Sequence, residues 1–202
     1  MLPLRISDIT SHLGRKPDDG EQISAKVWWA LPSTSFLDRI WSLRLDSVNG
    51  NQAVGQLCLF AAHQVLPIFE AVCPENKHAH VALEALTASL ANPTKDHLCQ
   101  VNAIQSLLAR QKYYVQSAEA AAHAICFACV LASKIQDKDD HSAYTNAIRD
   151  AIDYAAYAIR LFAKSNFQGN EEGKQKAGEM AERDYRSAVS TYLDSLYAPP
   201  AK

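Results

Sequence analysis

Glycine is scarce in this chain, with 7 among 202 residues, and methionine scarcer still, with 2. Alanine is abundant instead. Long alanine-rich windows favour helix, because alanine has the highest intrinsic helix propensity. No segment alternates apolar and polar residues convincingly, so a β-sheet is not expected. A field of one charge sign is also missing. Residues 1–100 carry 8 basic and 10 acidic side chains and residues 101–202 carry 12 of each, for a formal net charge of −2. Nucleic-acid binding needs a basic stripe that displaces counterions, and the chain offers none. No uninterrupted apolar run reaches the ~18 residues of a membrane-spanning helix, so no membrane partner is expected. The segment Met1–Thr10 does not have the charged-then-apolar order of a secretory signal.

The five cysteines, Cys58, Cys73, Cys99, Cys126 and Cys129, are odd in number and widely spread. That pattern fits a reduced, cytoplasmic protein using cysteine as a small apolar residue, with all five thiols free. Cys126-Phe127-Ala128-Cys129 has redox spacing, but it lies inside an apolar helical pattern rather than at a helix start after a strand. Core packing is the simpler reading. Cys73, His78 and His80 are three soft ligands within eight residues, with no evident fourth. Glu119 and His123 are four apart and read as a local helix contact, because no Glu-x-x-His pair of the di-iron type occurs. The nucleophile-elbow, phosphate-loop and dinucleotide glycine motifs are all absent. No catalytic residue, metal site or cofactor is expected.

What the chain does have is helical periodicity. The 48% hydrophobic and 21% charged content suits a globular domain. Residues 1–50 read as an irregular segment with short helices near Ile23–Leu31 and Ser35–Leu45. Residues 51–197 read as a helical core, and 198–202 as a tail. From Gln52, the positions Val54, Leu57, Cys58, Ala61, Val65 and Phe69 trace one buried face. Pro67 lacks an amide hydrogen, so a kink or break is expected there, with Glu70 at a helix end. The pattern then predicts a loop at 73–77, a helix over 78–91, and a new start at Pro93 or Thr94. Periodicity continues from Lys95 to Ile135, too long for one globular helix, so a break is expected within Ala109–Tyr114. Gln136–His141 is a charged loop. Ser142–Lys164 and Glu171–Tyr197 are two further helices, the last with Ala181, Tyr185, Ala188, Tyr192 and Leu196 inward. The expected fold is all-α, a single bundle or orthogonal array of six to nine helices.

Three pieces of the stretch from about Val54 to Lys164 resemble the fifth family of immunity proteins in bacterial polymorphic toxin systems. Val65-Leu66-Pro67-Ile68-Phe69-Glu70 with Pro74-Glu75 is similar to that family's leucine–proline–phenylalanine–glutamate segment and its acidic turn. Ala82-Leu83-Glu84-Ala85 is similar to the start of its next helix. The alanine-rich segments 118–124 and 154–159 match its later part. Where the family tends to carry arginine, proline, arginine, this chain reads His78-Ala79-His80. The resemblance implies a cytoplasmic helical protein that binds a cognate toxin domain and blocks it without catalysis.

Such a protein needs a rigid scaffold and a complementary surface. The candidate contact residues are Glu70, Glu75, Lys77, His78 and His80 around the turn, and Asp137, Asp139 and Asp140 in the acidic loop. Trp28 and Trp29 join them, since one ring of the pair suits the core and the other an interface anchor. Two other functions fit the same composition. One is a helical adaptor or inhibitor of another kind, phage-borne or regulatory. The other is a metal-dependent helical enzyme using the His, Cys and Asp residues. The bound toxin, the binding face and the oligomeric state are not readable from the chain.

Overall fold

A computed structural model of the protein describes residues 50–134 and 141–197. The 3.6-residue period becomes six helices: α1 Gly50–Val72, α2 His78–Ala91, α3 Lys95–Arg110, α4 Gln116–Lys134, α5 His141–Asn166 and α6 Glu171–Tyr197. The described residues contain no strand, and the fold is all-α. From Val54 onward they belong to one compact unit. Trp28, Trp29, Asp137, Asp139, Asp140 and the short helices expected before residue 50 lie outside the described residues.

Helix boundaries follow local chemistry. Thr94 caps α3, its hydroxyl oxygen accepting from the His97 amide at 3.2 Å. That satisfies one of the amides a helix start leaves unpaired. At the start of α2 the cap comes from Asn76, whose Oδ1 accepts from the His78 amide at 2.9 Å. The expected break in the long apolar stretch is the turn 111–115 between α3 and α4. In the same way, Asn170 Oδ1 accepts from the Gly173 amide at 2.8 Å and opens α6.

Pro67 does not break its helix: α1 runs unbroken from Gly50 to Val72. An interior proline costs ~3 kcal/mol or more, through the lost bond to the carbonyl four residues back. Val65, Ile68 and Phe69 on either side are all buried. Burial of each contributes about 1.5–3 kcal/mol, so together they outweigh the proline. Pro67 itself is exposed, so the carbonyl it leaves unpaired lies on the solvent side. The helical ladder resumes at once, with the Cys73 amide donating to the Phe69 carbonyl at 2.8 Å.

Helix α1 is buried on more than one face. Val54, Leu57, Cys58, Ala61, Val65 and Phe69 are fully buried, and Leu59, Ala62 and Ile68 are buried beside them. The Phe60 ring stacks on Tyr192 of α6 at 4.3 Å, and Phe69 meets Tyr113 edge-on at 5.6 Å. By length and composition Gln52–Val72 passes as a membrane span, contrary to the expectation that no helix would. Counting only uninterrupted apolar runs missed it, because glycine, glutamine and histidine punctuate a segment that is apolar on average. A core helix passes the same test.

Helices α4 and α5 pack extensively through alanine. Ala118, Ala121, Ala124 and Ala128 of one and Ala151, Ala155 and Ala158 of the other are fully buried. Side chains this short let helix axes approach closely. Helix α6 lies against α5. Its buried line is Tyr185, Val189 and Leu193, while Ala188, expected inward, is exposed. The buried face follows four-residue steps from Tyr185 to Val189 and Leu193, which pass over 188. Outside this seam Arg186 pairs with Asp153 at 3.0 Å and Glu182 at 3.1 Å.

Gly178 marks a close approach of α6 to α5. A Cβ there would lie 2.6 Å from Lys164 Cγ and 3.0 Å from the Arg160 backbone oxygen. Gly178→Ala gains about 1 kcal/mol of helix propensity. The overlap with a backbone atom costs ~1–3 kcal/mol, as overpacking does. The expected result is a lower midpoint in thermal unfolding, where an open glycine would show a rise.

Candidate partner-binding surface

The turn between α1 and α2 carries most of the described candidates. Glu75, Lys77, His78 and His80 are exposed, and Glu70 is half-buried in the last turn of α1. The structure brings Glu70 and His80 together and adds Glu84. His80 Nδ1 lies 3.5 Å from Glu70 Oε1, and its Nε2 lies 3.3 Å from Glu84 Oε1. One imidazole therefore links the end of α1 to the first turns of α2. Glu70 does not cap α2, a task that falls to Asn76. Nor is the link a strong structural clasp. The side chains are 52% exposed for His80 and 39% for Glu70. Pairs this accessible contribute about 0–1 kcal/mol.

A second turn joins this surface. Asn76 Nδ2 donates to Gln111 Oε1 at 2.6 Å, tying turn 73–77 to turn 111–115. Beneath them, Tyr113 packs on Phe69 and its hydroxyl donates to the Leu108 carbonyl at 3.1 Å. Burial pushes the Tyr113 phenol well above its ordinary range, with smaller contributions from the nearby Cys126 and Cys73 thiols. The next residue turns the other way: Tyr114 is 98% exposed and Val115 46%. Sequence reasoning passed over this pair. The adjacent tyrosines at an expected break were the available signal, since one helix-edge aromatic can enter the core while its neighbour points out.

Beside the first turn, α1 and α2 enclose a groove of about 450 Å³. Leu66 and Leu83 line it together with His63, His80 and Glu84. Among the described residues, no three or more His, Cys, Asp or Glu side chains are arranged to hold a metal ion. Cys73, half-buried at the start of the turn, does not gather with His78 and His80 into such a group.

The cysteines divide by environment. Cys58, Cys126 and Cys129 are buried, Cys73 is half-buried and Cys99 exposed, and all five are free thiols. The expectation that cysteine serves as core filler holds for the buried three, including both members of the 126–129 pair. Burial alone raises the Cys126 thiol to about 12, and burial lifts Cys58 and Cys129 still higher. The thiolate is the reactive form. A thiol reagent at pH 8 is therefore expected to label two cysteines quickly in the native protein and five in denaturant. Fast labelling of Cys126 or Cys129 would count against the core assignment.

His123 does not reach for Glu119 as its neighbour. Its ring lies 5.1 Å from Tyr154 of α5, and Phe127 stacks on the same tyrosine at 5.5 Å. No protein-family model matches the chain, and comparison with curated proteins and with solved structures gives no match.

Proposed function

We propose that this protein is a non-catalytic inhibitor that binds a cognate bacterial toxin domain through the end of the helix array bearing turns 73–77 and 111–115. One observation carries the reading. Glu70, which closes the segment resembling the immunity family, stands beside an exposed turn and makes contacts too accessible to matter much for stability. A carboxylate of little structural value in a largely apolar helix is accounted for by a partner.

The surrounding surface suits that task. Glu75, Lys77 and His78 supply charge and hydrogen bonds at the rim. Exposed Tyr114 supplies the kind of aromatic anchor that interfaces concentrate near their centre. The groove beside Leu66 and Leu83 can take an apolar side chain. Rim charges of this kind steer encounter and set specificity, while desolvated anchors set the dissociation rate. Co-expression with the toxin domain of the adjacent gene tests the proposal. Cell survival together with co-purification of a one-to-one complex is the expected result. A toxin that kills regardless and never co-purifies would overturn it.

A further inference from the structure

A second groove lies at the start of α4, where it meets the end of α5 and the first turns of α6. It encloses about 440 Å³ between Tyr114, Val115, Ser117, Leu161, Lys164 and Lys174. We propose that this groove binds a phosphate group, carried free or as a monoester, and that it does so independently of any toxin.

The argument begins with unpaired donors. Val115 stands just before α4 and has no side-chain oxygen with which to cap it. Its carbonyl accepts from the Ala118 and Glu119 amides at 3.0 and 3.1 Å. The two amides before those, of Gln116 and Ser117, meet no acceptor among the described residues. A 19-residue helix adds the partial positive charge of its dipole at this point.

Ser117 supplies the independent sign of a ligand. It is only 4% exposed, yet it lines the groove, and its hydroxyl forms no hydrogen bond among the described residues. A nearly buried hydroxyl normally finds a partner. Here its open side is the groove.

Two cations complete the site from the other helices. Lys164 of α5 donates to the neutral Gln175 Oε1 at 2.9 Å, so no contacting carboxylate balances its charge. Lys174 of α6 pairs with Glu171 at 2.7 Å. That carboxylate is 84% exposed and does not line the groove. Lys174 and, more weakly, Lys164 both act on that carboxylate, holding it below the usual carboxylate range, and its single charge stands against two lysines.

Donor-bearing residues from three helices line the groove: Gln116 and Ser117 of α4, Lys164 of α5 and Lys174 of α6. A planar carboxylate accepts through two oxygens, with its acceptor sites close to one plane. A tetrahedral phosphate offers three or four, and its bonds to ammonium groups are charge-assisted. The volume exceeds that of the anion alone. The side chains of Leu161 and Val115 and the exposed Tyr114 ring leave apolar room for a small organic group.

Amide-resolved NMR titration of the whole chain with inorganic phosphate, glycerol phosphate and acetate, at fixed ionic strength, tests this. The Gln116 and Ser117 amides are expected to shift saturably with both phosphates and far less with acetate. Tighter binding of glycerol phosphate marks the ester as the ligand, and equal binding marks the free anion. Lys164→Gln and the near-isosteric Ser117→Ala are each expected to weaken binding by ~10-fold, equivalent to about 1.4 kcal/mol. Shifts that stay linear with concentration, or that match wild type in the folded Ser117→Ala variant, would overturn the proposal.

Discussion

The triple variant Glu70→Lys, Glu75→Lys, Lys77→Glu is expected to lose toxin neutralisation while keeping its fold. Its stability should change little. Glu75 and Lys77 are exposed, and the Glu70–His80 contact is largely open to solvent. Substitutions at such sites usually stay within about 0.5 kcal/mol each. Binding is another matter. Truncating one partner of a buried interfacial charge pair costs ~2–5 kcal/mol, and reversal adds repulsion. Each 1.4 kcal/mol is tenfold in Kd, so a loss of at least ~30-fold is expected from one such pair. Calorimetric titration of the toxin domain beside thermal unfolding of the free variant separates the two effects. An unchanged Kd would remove this turn from the interface. The acidic loop of Asp137, Asp139 and Asp140, or the Trp28-Trp29 segment, would then become the leading surface.

Phe69→Ala should do the reverse, costing stability first. Phe69 is fully buried and meets Tyr113 edge-on at the base of both turns. Truncating a core phenylalanine costs about 3–5 kcal/mol, through lost transfer energy and the cavity left behind. For a domain of this size each kcal/mol lowers Tm by about 2–4 °C, so a fall on the order of 10 °C is expected. A drop of only ~1 °C would mean that the ring is not the anchor of this end of the array. The substitution should also loosen turn 111–115, because Tyr113 loses its packing partner while Asn76 remains bonded to Gln111.

Much of the helical layout was legible because its signals are local. Asn92-Pro93-Thr94 contains both a stop and a cap, and α3 begins just after them. The apolar steps from Val54 to Phe69 needed only the helical period to mark one face. A break at Pro67 does not occur because its cost is local and the burial that offsets it is tertiary, while Phe69 is buried and Glu70 stands in the last turn of α1 as expected. The α6 line misled for a related reason. Alanine reads as apolar wherever it falls, so Ala188 could not be told from an inward position until α5 set the face that Val189 fills. The candidate surface was half legible. Glu75, Lys77 and His78 are exposed, as a turn of polar residues implies. The meeting of Glu70, His80 and Glu84, the exposure of Tyr114, and the donors gathered around Ser117 depend on which helix ends share one end of the array. Residue order along a single chain does not state that.

Amide hydrogen exchange of the protein with and without the adjacent-gene toxin domain tests the central claim most directly. Binding should slow exchange at residues 73–80 and 111–115 and leave the α4–α5 seam unchanged. Protection confined to other segments, or no difference at saturating toxin, would contradict the account.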